Sequence, residues 1–280
     1  MFKRKKKNIN VVRLSGVIIS GSRNGLNLKN CKSHIDKAFL EESASSKKSK
    51  KHNNVSAVVF IINSPGGSPV QSEMISNYII SKSLKYGVKV ITFVEEVGAS
   101  GGYWLSLVGS EIYALSSSSI VGSLGVVSAS FGLDKFIEKH NITRRVYTAG
   151  ENKVMLDAFQ EEKAEEITRL KELLSLVHLN FKNWVLKSRG NKITLDHNEL
   201  FSGLYWLAPK ALEYGLIDGI AFDLTSKLHE LFGDDIKINY IENKVGLIKS
   251  LFYKSELAQS LVDESVAKVK SELLWNKFGL

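Results

Sequence analysis

Short apolar runs alternate along the chain with polar, helix-periodic stretches, the pattern of a sheet crossed over by helices. Val55–Ile62 (VSAVVFII) and Val88–Val94 (VKVITFV) are nearly unbroken apolar runs, as strands buried on both faces are. Between them, Asn63-Ser64-Pro65-Gly66-Gly67 signals a turn, and Ser68 with Pro69 opens a helix that should stop at Gly87. Strand, helix and strand in this order predict parallel pairing with a right-handed crossover. Upstream, Ile9–Ile19 reads as a strand and Asn24–Leu40 as helical.

The alternation continues downstream. VGASGG (97–102) opens a short helix through Val108, and strands are expected at Glu111–Leu115, Gly122–Ser130 and Ile142–Thr148. Glu161–Arg189 is the longest helix. Ile167, Leu170, Leu174, Val177, Phe181 and Trp184 form its apolar stripe, with acids at its start and Lys187 and Arg189 at its end. A short helix from Ala208 to Gly215 precedes GLIDGIAF, 223–243 reads helix then strand, and an amphipathic tail helix is expected from Ser255.

These elements suggest a basic N-terminus over 1–8, a main domain over 9–232 with a flexible loop at 41–54, and a C-terminal extension over 233–280. A chain of 280 residues with 44% hydrophobic and 24% charged positions can bury a sizeable core. One cysteine, Cys31, excludes an internal disulfide or a cysteine-built metal site, and an inert thiol is the default reading. The net charge of +9 gathers in MFKRKKKN and SSKKSKKHNN. Neither stretch interleaves aromatics with its lysines, so nucleic acid is not expected as a partner. Solubilising charge is the plain reading, and loose contact with anionic lipid is the sharper one. No stretch has the roughly 18 uncharged apolar residues that a membrane span needs, nor the features of a signal peptide. The expected location is cytoplasmic or peripheral to an inner membrane.

Candidate chemistry changes the picture at Ser100. Gly98-Ala99-Ser100-Gly101-Gly102 fits G-x-S-x-G, after a buried strand and before a helix. Small residues also cluster wherever a helix start packs on a sheet, so a packing turn competes with a nucleophile. A nucleophile would use free N–H groups at the helix start, from Ser100 itself or Gly101, to hold an oxyanion. Gly66 and Gly67 end the neighbouring strand on the same sheet edge and allow a second donor to approach.

The base stays open on these grounds. A hydrolase-type triad could draw on Asp196, Asp218 and His229, but no glycine-rich loop presents a histidine, and Glu95-Glu96-Val97 separate the expected strand end from Ser100. A neutral lysine is the second option and no catalysis the third. Lys153, in AGENK after the expected strand, is distinctive, although a loop lysine is ordinarily solvated.

Taken together, NSPGG (63–67), VGASGGYW (97–104), SSIVGSLGVV (118–127), YTAGENK (147–153) and SGLYWLAPKALEYGLIDGI (202–220) resemble the signal peptide peptidase A family of serine proteases, over about Val11 to Ile220. The resemblance implies an α/β fold of the ClpP/crotonase type, a spiral of ββα units with a mainly parallel sheet and a long C-terminal helical part. It implies Ser100 as nucleophile, Lys153 as general base, and Gly67 and Gly101 as oxyanion donors. Gly66 would support the turn, and Ser123 would help orient the lysine. An extended peptide would lie beside Gly122, Leu124, Gly125 and Val126 by strand addition. No cofactor or metal is implied. Short members of the family form homo-oligomers in which neighbouring subunits complete each site. Many relatives carry an N-terminal anchor and none is recognisable here, which leaves peripheral contact through the basic N-terminus as the expectation. A crotonase-like acyl-CoA enzyme and a silent peptide-binding or scaffold member are the alternatives.

Overall fold

The two apolar runs become the middle of the sheet. In the computed structural model, which describes residues 6–22, 24–40, 55–150, 152–242, 269, 272 and 274–278, β2 (Val55–Ser64) lies between β1 (Lys7–Ser15) and β3 (Lys89–Ala99), parallel to both. The first residues of the basic N-terminus, the lysine-rich loop at 41–54 and most of the expected tail helix lie outside the described residues. The sheet runs β6 (Tyr205–Leu207), β5 (Ile120–Gly122), β3, β2, β1, β8 (Ile236–Tyr240). β4 (Ile112–Ala114) also pairs with β3 and carries β7 (Gly219–Ile220). All pairs are parallel except β5 with β6. The α/β class with a mainly parallel sheet is therefore as expected.

Alternation along β2 builds a core on each face. Val58, Phe60 and Ile62 pack with Cys31, Ile35 and Ala38 of α1 (Leu28–Ala38) and with Ile75 and Ile79 of α2 (Pro69–Tyr86). Ala57, Val59 and Ile61 face the other way, toward Leu224 and Leu228 of α8 (Leu224–Phe232). The α2 boundaries follow the sequence signals: Ser68 Oγ accepts from Gln71 N–H, and Gly87 closes the helix at φ 63°.

By its contacts the chain forms two compact units, residues 1–124 with 184–280, and residues 125–183. The first holds the whole sheet and both core faces. The second holds α4 (Asp134–Lys139) and α5 (Ala164–Arg189) as far as residue 183. Two expected strands are not formed there. β5 ends at Gly122, the chain from Ser123 to Leu133 is irregular, and 142–148 forms no strand among the described residues. Their β-branched composition suits a strand, but strand formation depends on a partner and none is described.

The largest correction lies in β3. The strand does not end at Val94 but continues through Glu95, Glu96 and Val97 to Ala99. Its first half pairs with β4 through Val94, and its second half with β5 from Val97. Against β2 the register slips where Ile62 faces Val94 but Ser64 faces Gly98, so two extra residues bulge out of β3. The two glutamates mark this bulge, where side chains reach solvent, rather than a strand end. Asn63 Oδ1 accepts the Val97 N–H at 3.2 Å, and Ser119 Oγ donates to the Glu95 carbonyl, so two of the bulge's backbone groups find side-chain partners.

Candidate active site

Because β3 reaches Ala99, Ser100 sits directly between a strand end and α3 (Gly101–Ser106). The sequence argument against a sharp strand-to-helix elbow therefore falls. Ser100 has φ 52° and ψ −121°, a conformation that L-residues rarely adopt and that lies outside the left-handed helical well. A serine at a helix start normally caps it, yet Ser100 makes no side-chain capping bond. The packing work is done elsewhere. Tyr103 is fully buried with its hydroxyl donating to Leu216 O at 2.7 Å, and a side chain at Gly102 would overlap the Ser64 carbonyl.

The strand register also decides which N–H groups are free. Ser100 N–H donates to Gly122 O at 2.8 Å, so it is not available for an oxyanion. Gly66 N–H donates to Ser64 Oγ at 3.2 Å, and Ser64 Oγ in turn donates to Gly16 O at 2.7 Å. In contrast, neither Gly67 N–H nor Gly101 N–H meets an acceptor among the described residues. Gly67 is held in place by a parallel bridge to Ile18, where Ile18 N–H donates to Gly66 O and Ser68 N–H donates to Ile18 O, both at 2.8 Å. At φ 103° and 135°, Gly66 and Gly67 take conformations that favour glycine. A Cβ on Gly66 would lie 2.8 Å from both Gly101 N and Ser100 Cβ. The missing side chain thus keeps open the space bounded by the serine and the glycine N–H.

Gly122 is flanked on both sides, by Ala99 of β3 and Tyr205 of β6. Strand addition by a peptide therefore cannot begin at Gly122 itself. Leu124 is fully buried, whereas Gly125 and Val126 are partly exposed on the irregular chain that follows. Ser123 is 6% exposed, holds φ 54°, and donates its N–H to Leu204 O at 2.6 Å. Lys153 lies in the second unit, exposed, in a turn where its N–H donates to Gly150 O at 3.2 Å. Ser100 and Lys153 thus belong to different units. Cys31 is buried, and burial pushes its thiol up to about 12, as for an inert side chain.

Sequence reasoning missed three contributors to this arrangement. Ile18 anchors the Gly66–Gly67 turn, Ser64 occupies the Gly66 N–H, and β6 closes the outer side of Gly122. Ser64 lies inside NSPGG and β6 inside SGLYWLAPKALEYGLIDGI, so both carried a signal, whereas Ile18 carried none of its own.

The pattern of Peptidase family S49 matches residues 82–230, just over half of the chain, and includes Ser100, Ser123 and Lys153. The chain belongs to peptidase family S49. A Brucella abortus protein named Na(+)/H(+) antiporter NhaA is 40% identical over the whole of this chain, which spans only 38% of that relative's length. A Synechocystis sp. protein named as a protease is 26% identical, with 98% of this chain and 93% of that one aligned. Among solved structures, a 1510-N membrane-bound stomatin-specific protease aligns at a TM-score of 0.49 and 14% identity, over 86% of this chain and all of that one. Among the described residues, no helix is long and apolar enough to cross a membrane, and no His, Cys, Asp or Glu cluster could hold a metal ion.

Proposed function

We propose that this S49 chain is a serine endopeptidase that hydrolyses extended or unfolded peptides, residual signal peptides among them, through a Ser100–Lys153 dyad. The observation that carries the reading is Ser100 itself: held at φ 52° directly at a strand end, not capping its helix, beside the space that Gly66 leaves open. Lys153 Nζ takes the Ser100 hydroxyl proton as Oγ bonds to the peptide carbonyl carbon. The developing oxyanion accepts hydrogen bonds from Gly67 and Gly101 N–H. Collapse breaks the C–N bond, and the leaving amine takes the proton back from Lys153. Water then cleaves the ester, with Lys153 again as base. Gly125 and Val126, partly exposed, offer the backbone for strand addition by substrate.

Completion of the site between subunits of a homo-oligomer belongs to this proposal. Leu173, Leu176 and Leu179 of α5 are 54%, 59% and 50% exposed, and such apolar surface suits a second copy. Peripheral contact of the basic N-terminus with anionic lipid is the finer reading of location. Flotation with anionic liposomes at low and high salt tests it, and absence of binding at low salt ends it.

The central test pairs a serine-reactive phosphonate with an unfolded protein substrate, using the wild type, Ser100→Ala and Lys153→Ala. Labelling and cleavage should vanish in Ser100→Ala and fall steeply in Lys153→Ala. Full activity in either variant refutes the dyad. Mixing the two inactive variants should restore part of the activity if subunits complete each other's sites.

A further inference from the structure

The buried hydroxyl of Ser123 is already occupied. Lys277, in the last stretch of the sequence, places its Nζ 3.3 Å from Ser123 Oγ, and both residues belong to the same unit. The contact is one of several at this spot. Tyr205 donates its hydroxyl to the Lys277 carbonyl at 3.3 Å. The Phe278 ring packs edge-on against Tyr205 with centroids 5.0 Å apart. The Lys277 ammonium stands 5.7 Å from the Tyr205 ring centroid and 5.6 Å from that of Phe278. Such a cation between two rings, with its charge on a hydroxyl, is held by side-chain chemistry and not by apolar burial alone.

The location gives this contact meaning. Tyr205 pairs with Gly122, and the Gly122 carbonyl holds the Ser100 N–H. Ser123 is the next residue, at the point where the chain leaves the sheet toward Gly125 and Val126. β6 is the last strand of the sheet on this side. The tail therefore rests one residue from the strand end that anchors the candidate nucleophile.

We propose that Ser123 and Tyr205 form a peptide subsite that selects a lysine followed by an aromatic residue, and that the chain's own Lys277-Phe278 fills it in cis. This rests on the peptidase reading for its consequence, but not for the binding itself. An incoming peptide with a basic–aromatic pair displaces the tail, whereas one without it competes poorly. A tail docked nine-tenths of the time raises the apparent KM about tenfold without changing kcat.

Two measurements on the 280-residue chain test the subsite. Turnover of an unfolded substrate is compared among the wild type, Lys277→Ala and Phe278→Ala. Binding of a fluorescent ELLWNKFGL peptide, the sequence of residues 272–280, is followed by anisotropy with the same proteins. Both variants should show a severalfold lower KM with kcat unchanged. They should bind the peptide more tightly than the wild type does, and replacing the peptide's lysine with alanine should abolish binding. An unchanged KM with no peptide binding overturns the subsite. A collapse of kcat in Lys277→Ala at constant KM overturns it as well, because Lys277 would then serve the chemistry. If no variant cleaves anything, the peptidase reading fails and the anisotropy alone decides the subsite.

Discussion

Ser100 was legible as a residue worth singling out, because a serine among glycines before a helix is chemically suggestive. Its conformation was not legible. Nothing in VEEVGASGGYW announces φ 52°, since that angle follows from the β3 bulge and the Gly122 carbonyl that holds the Ser100 N–H. The same holds for Ser123 at φ 54°. Such angles cost on the order of 1–3 kcal/mol and persist only where the surroundings enforce them. Ser100→Gly should therefore raise stability by about 1 kcal/mol while removing the nucleophile. Ser100→Ala keeps the Cβ, and with it the strain, so its stability should stay near that of the wild type. Urea unfolding of the three proteins at neutral pH reads the difference. Equal midpoints for the alanine and glycine variants would mean that the backbone at Ser100 carries no strain.

Among the elements, the parallel strands and α2 were readable from apolar runs and capping residues, because local chemistry fixes both. The path of β3 beyond Val94 was not, because two adjacent glutamates ordinarily mark a strand end. Here they mark a bulge at which β3 exchanges β4 for β5 as its neighbour. Asn63 makes the bulge tolerable: its Oδ1 accepts from Val97, which is fully buried, and its Nδ2 donates to Glu96 Oε2 at 3.3 Å. Asn63→Ala strands the Val97 N–H away from water and should cost about 1–3 kcal/mol. It should also slow phosphonate labelling of Ser100, because the bulge sets the approach of Gly98 to Ser100 onto β5. Glu96→Gln keeps an acceptor for Asn63 and should change stability by less than about 0.5 kcal/mol. Thermal and urea unfolding, read beside the labelling rate, check both. The reverse failure, strands expected at 122–130 and 142–148, has the complementary cause: β-prone sequence without a described partner strand.

Across the first unit, one buried ion pair joins distant parts of the chain. Arg189, at the end of α5 and only 3% exposed, donates to Gly215 O at 2.9 and 2.7 Å and to Asp218 Oδ2 at 2.7 Å. Asp218 also accepts from Ile112 N–H at 2.8 Å and from Lys192 at 2.5 Å. Burial alone would raise the Asp218 carboxyl, but hydrogen bonds from Arg189 and Lys192 outweigh it and hold the group below its ordinary range. The sequence showed GLIDGIAF as an apolar turn and Arg189 as a helix-end cation, but no pattern in it could pair residues so far apart. A depressed folded pKa contributes stability that is present above the unfolded value of about 3.9 and lost as pH falls through the folded value. Asp218→Asn removes the charge while leaving an oxygen for Ile112 N–H, and it leaves the Arg189 guanidinium buried without its counter-ion. At neutral pH the variant should be less stable by about 3–5 kcal/mol, the usual cost of breaking a buried pair from one side. Below about pH 4 the wild type loses the same contribution by protonation, so the gap between the two proteins should narrow steadily with acid. Urea unfolding at pH 7, 5, 4 and 3 measures that gap. A difference that stayed constant down to pH 3 would show that the Asp218 charge does not stabilise its network with Arg189 and Lys192.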